Sequence, residues 1–154
     1  MKTIILGLGN PLFADDGVGL AVAHELGSRL AGSDVTVAQA TVAGLDVLEI
    51  LQGFERAVVI DAVQTGDARP GTIYHLKETQ APAGPGSRPH QFDCLAALRL
   101  GRSLGISLPA DVTIVGVEAA TLTGPSEVLS EEVRAAIPLC VEMIQRELEM
   151  GTAA

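Results

Sequence analysis

Residues 3–8, 57–60 and 112–117 are short segments that are almost wholly apolar and rich in β-branched side chains. A strand with one wet face alternates apolar and polar residues. A continuous apolar run suits a strand covered on both faces. Such strands occur in parallel sheets whose crossover helices pack on either side. This feature predicts an α/β fold: a three-layer sandwich with a mostly parallel, twisted five-stranded sheet flanked by helices. Residues 35–38 and 71–76 supply the other two strands, the latter near an edge. The strand at 57–60 is expected to stop at Asp61.

Helical periodicity fills the intervals. Val18, Val22, Leu26 and Leu30 recur every four residues, which predicts a helix from Gly17 with Asp15 or Asp16 as its cap. Residues 45–51 read as a short helix, and Phe92, Leu95, Ala96 and Leu100 mark a third. Val133, Ile137, Val141, Ile144 and Leu148 form the apolar face of a last helix, with Ser130 at its N-cap and Glu131 and Glu132 in its first turn. Pro138 falls inside that pattern and predicts a kink or a restart. Residues 78–89 hold too much Pro and Gly for helix or ladder and read as a loop.

Length and charge narrow the function. A chain of 154 residues fits one domain over 1–154. Ten basic and 19 acidic residues give a net charge of −9, and the chain has no Trp, one Tyr and three Phe. A nucleic-acid surface needs clustered cations and stacking platforms, so no nucleic-acid partner is expected. No apolar run approaches the ~20 residues that span a bilayer, and the N-terminal run is too short for a secretion signal, so a cytoplasmic protein without membrane insertion is expected. Cys94 and Cys140 lack metal-ligand spacing and read as reduced core residues. His24 and His75 read as surface residues.

In parallel α/β sheets the working crevice lies beyond the carboxyl ends of the strands. Three candidates stand there: Asp16 after the first strand, Asp61 at the end of the third, and His90 before the third helix. Two carboxylates and one imidazole make a mixed oxygen and nitrogen set that suits a divalent ion such as nickel or zinc. Three ligands leave coordination positions open to water or substrate. Each residue also has a plain reading: Asp16 as a helix cap, Asp61 as a turn residue and His90 as a loop histidine. Dinucleotide binding fits poorly, because Leu12 stands where the fingerprint Gly7-x-Gly9 needs its third glycine, and two aspartates occupy the phosphate position. No Gly-x-Ser-x-Gly elbow is present, and Cys94 falls on an apolar helix face.

Taken together these segments resemble a known family. Gly7-Leu8-Gly9-Asn10-Pro11-Leu12 followed by Asp15-Asp16-Gly17-Val18-Gly19 is similar to the opening signature of the hydrogenase maturation proteases. Thr41-Val42-Ala43-Gly44-Leu45-Asp46, Val58-Val59-Ile60-Asp61-Ala62 and Pro89-His90-Gln91 resemble that family's second loop, central strand and histidine loop, and the likeness runs in order along nearly the whole chain. The resemblance implies a five-stranded α/β endopeptidase that removes the C-terminal extension of a nickel–iron hydrogenase large-subunit precursor after nickel insertion. It implies Asp16, Asp61 and His90 as metal ligands, with nickel held by this protein or already present in the precursor. Many members carry Glu at the first of these positions; Asp16 keeps the charge with a shorter reach. Asn10 is expected to position the first loop and Gly44 to let a substrate tail approach closely. The resemblance names no catalytic residue. Two other readings stand beside it. One is a non-catalytic docking or chaperone protein for the large subunit. The other is a peptidyl-tRNA hydrolase-like enzyme, whose opening is similar, but no histidine precedes His24 and the net charge opposes tRNA.

Overall fold

The computed structural model describes residues 1–41, 44–80 and 93–152. Its strands are β1 (Thr3–Leu8), β2 (Thr36–Ala40), β3 (Arg56–Val63), β4 (Ile73–Lys77) and β5 (Asp111–Glu118). Its α-helices are α1 (Val18–Arg29), α2 (Asp46–Leu51), α3 (Asp93–Ser103) and α4 (Glu131–Thr152), with 3₁₀ turns at Ala14–Gly17 and Glu78–Gln80. The sheet order is β2-β1-β3-β5-β4, parallel except for β4.

The apolar runs do what their composition requires. All six residues of β1 are buried. Its side chains alternate between two cores. Ile5 joins Val58, Ile60, Val115 and Val117 under α1 and α4. Ile4, Leu6 and Leu8 join Ala57, Val59, Val112 and Ile114 under α2 and α3. The result is the expected three layers. Both cysteines are buried and reduced, and burial pushes the Cys140 thiol up to about 11. Among the described residues no helix is long and apolar enough to cross a membrane.

Four local expectations need correction. First, β3 does not stop at Asp61 but runs on to Val63. Its pairing with β1 ends at Gly7 with Ile60, while its ladder with β5 continues to Val63 with Glu118. Second, neither Asp15 nor Asp16 caps α1, whose N-cap is Gly17 with no side-chain bond; the 3₁₀ turn carries the chain into the helix instead. Third, α3 buries Cys94, Leu95, Ala97 and Leu98 and leaves Ala96 and Leu100 exposed. Both stand two residues from Leu98, roughly 200° round the helix. Phe92 lies outside the described residues. Fourth, Pro138 does not restart α4, which is one helix through it, with the proline on its exposed side.

Glycines explain the fit of α1 to the sheet. A Cβ on Gly19 would lie 2.5 Å from the Ile60 carbonyl oxygen, and one on Gly7 would fall onto the Gly19 backbone. These two glycines let the helix start rest directly on the ends of β1 and β3.

Candidate functional site

Strand order reverses between β1 and β3. From β1 the chain crosses to β2 on one side, while β3 lies on the other. Helices α1 and α2, which follow β1 and β2, lie on opposite faces. A crevice opens at such a switch point, beyond the carboxyl ends of the strands. Asp16 lies in the turn that follows β1, and this turn packs against β3. Asp61 lies where β3 has outrun β1. By strand alternation it faces the α2 and α3 layer, opposite Ile60. The topology thus puts two of the three predicted ligand residues at the carboxyl ends of neighbouring strands, β1 and β3. His90, three residues ahead of α3 in sequence, lies outside the described residues.

The loop carrying Asp16 is tightly ordered. The Asn10 backbone N–H donates to Asp16 Oδ2 at 2.7 Å, and the Leu12 N–H donates to Asn10 Oδ1 at 3.0 Å. Asn10 therefore shapes the turn that presents Asp16. Asp16 Oδ1 accepts no hydrogen bond from the described residues. Asp61 Oδ1 accepts the Ala62 N–H at 2.9 Å. Gly44 has φ +64°, is exposed, and has nothing within 4 Å of where a Cβ would stand.

Two buried carboxylates brace this edge; the sequence offered Asp15 only as a helix cap and did not single out Glu118. Asp15 is fully buried. Its Oδ1 accepts the Ser130 N–H at 2.6 Å, and its Oδ2 accepts Ala120 N–H at 2.8 Å, Thr121 N–H at 3.2 Å and the Ser130 hydroxyl at 2.9 Å. It forms no ion pair among the described residues, and these four donors satisfy its buried oxygens. They fasten the 3₁₀ turn to the loop between β5 and α4. The only sequence signal was an acidic doublet, which cannot say which member turns inward.

Glu118, at the end of β5, is also buried. Tyr74 OH donates to its Oε1 at 2.8 Å, as does the Thr65 hydroxyl, and the N–H groups of Thr65 and Gly66 donate to Oε2 at 2.9 and 3.4 Å. Burial alone would raise its carboxyl, but these hydrogen bonds outweigh burial and hold it below the usual carboxylate value. With its lone pairs filled, Glu118 anchors the loop after β3 and is not placed to take a proton from a substrate.

Among the described residues no three His, Cys, Asp or Glu side chains cluster as a metal site. His24 and His75 are exposed, as expected. His75 Nε2 nonetheless lies 2.8 Å from Glu147 Oε2, near the end of α4.

The family model for hydrogenase maturation proteases matches residues 20–147. The hydrogenase 2 maturation protease of Escherichia coli K12 is 29% identical over all of this chain and 95% of its own length. A hydrogenase expression/formation protein, HupD, of Rhizobium leguminosarum is 27% identical over 96% of this chain and 74% of its own. Among solved structures, the hydrogenase maturating endopeptidase HybD of E. coli superposes with a TM-score of 0.80 at 25% identity, covering 98% of this chain and 94% of that one. The NiFe hydrogenase maturation protease HybD of Thermococcus kodakarensis superposes with a TM-score of 0.67, also at 25% identity, over 95% and 98%. Fold, motif order and family model agree, and the chain belongs to the hydrogenase maturation proteases.

Proposed function

We propose that this endopeptidase removes the C-terminal extension from the large-subunit precursor of a nickel–iron hydrogenase, in the cytoplasm and after nickel insertion. Asp16, Asp61 and His90 recognise the nickel ion that the precursor carries. The observation that carries this reading is the position of Asp16 and Asp61 on the two sides of the switch point between β1 and β3. Two carboxylates and a neutral imidazole suit a borderline divalent ion such as nickel or zinc. Held by Asp16, Asp61 and His90, such an ion would supply Lewis-acid chemistry at a carbonyl or a bound water.

The remaining residues have supporting roles in this reading. The Asn10 turn presents Asp16, whose Oδ1 faces no competing donor among the described residues. Gly44, with open space about it, leaves room for an extended tail beside β2. Because the ligands act on nickel already in the client, an empty precursor lacks the handle and stays uncut.

The test is processing of the nickel-loaded precursor by Asp16→Ala, Asp61→Asn and His90→Ala variants, read by gel shift. The expected result is loss of processing in all three, with thermal unfolding close to that of the parent. Full processing by any one variant removes that residue from the site. Binding without cleavage by the parent protein would favour a docking or chaperone role.

A further inference from the structure

A ledge of exposed apolar side chains stands beside Asp16. Leu12 is 51% exposed, Phe13 44% and Val128 66%. They belong to two loops joined by a bridge between Phe13 and Ser126: Ala14 N–H donates to Ser126 O at 2.8 Å, and Ser126 N–H donates to Leu12 O at 2.9 Å. The four-donor brace on Asp15 fixes the same two loops from beneath. Leu129 packs inward near Gly17, while its neighbour Val128 faces out. The fold thus holds large apolar groups rigidly in water without using them in its core. Preformed patches of this kind mark protein contacts, because no ordering cost is left for binding.

Charge sets the kind of surface that fits the ledge. Residues 3–28 and 103–133, which include both loops, contain no Lys or Arg, whereas Asp16, Glu127, Glu131 and Glu132 lie along them. The matching surface is apolar with a basic rim. We propose that this ledge docks the folded body of the polypeptide substrate beside its tail. This assignment rests on the functional reading above.

The test is a binding titration of purified nickel-loaded large-subunit precursor against Leu12→Ser/Val128→Ser, Phe13→Ser and, as a control, Leu104→Ser. Leu104 is 65% exposed and follows α3, away from the ledge. The expected result is a Kd raised at least about tenfold for both ledge variants. The control should stay unchanged, and parent binding should weaken with added salt. Ledge variants within twofold of a binding parent overturn the ledge and leave the functional reading standing, as does a parent affinity indifferent to salt. A parent that neither binds nor cleaves the precursor overturns both.

Discussion

Asp15 and Asp16 are adjacent and chemically identical, yet their surroundings separate their roles. Asp15 is buried under four donors, while Asp16 is only part-buried and receives one backbone N–H. Asp15→Ala leaves buried donors without acceptors, each costing about 1–3 kcal/mol. The expected loss is about 2–4 kcal/mol, read as a lower urea midpoint at unchanged slope. Asp16→Ala should cost less than about 1 kcal/mol in the same measurement. Gly19→Ala forces a methyl against the Ile60 carbonyl. Its overpacking should cost about 1–3 kcal/mol and push α1, with the Asp16 turn, away from β3. The acidic doublet and the glycines were legible in sequence. Which aspartate turns inward was not, because the donors come from residues 120, 121 and 130, far along the chain.

At the level of elements, α4 is fastened at both ends, to the 3₁₀ turn at its start and to the sheet near its end. Its start is held through Ser130 and Asp15. Near its end, Arg56 Nη2 donates to Glu147 O at 3.1 Å, and Glu147 Oε1 accepts from Lys77 Nζ at 3.2 Å and from the Thr113 hydroxyl at 2.7 Å. Burial alone would raise the Glu147 carboxyl, but its bonds to His75, Thr113 and Lys77 bring it down to about 2. A carboxylate lowered in the folded state stabilises above its unfolded pKa, and that contribution fades as pH falls toward 2. The stability advantage over Glu147→Gln should therefore be greatest above pH 5, at most about 3 kcal/mol. Urea unfolding should show it shrinking steadily below pH 4.5; an advantage independent of pH would contradict this. The apolar faces of α1 and α4 and the buried run of β1 were readable because a single periodicity governs each. The extension of β3 past Asp61 was not readable, since it depends on β5 remaining as a partner after β1 has ended. The exposed Ala96 and Leu100 misled for a related reason: a short helix buries only the stripe that meets α2 and the sheet.

For the whole molecule, the alternation of buried strands and amphipathic helices was enough to place Asp16 and Asp61 at the carboxyl edge of the sheet. The order β2-β1-β3-β5-β4 fixes the switch point between the strands that lead to Asp16 and to Asp61. The bracing network could not be read, because Asp15, Glu118 and Glu147 find their partners only after the sheet has assembled. Acid, apolar ledge and open loop all gather at the carboxyl edge, while the ion-paired end of α4 lies at the other. The most direct test of nickel-gated proteolysis is mass spectrometry of the large-subunit precursor, nickel-loaded and nickel-free, before and after incubation with the protein. The account predicts loss of one C-terminal fragment from the loaded precursor and none from the empty one. Equal cleavage of both would contradict it.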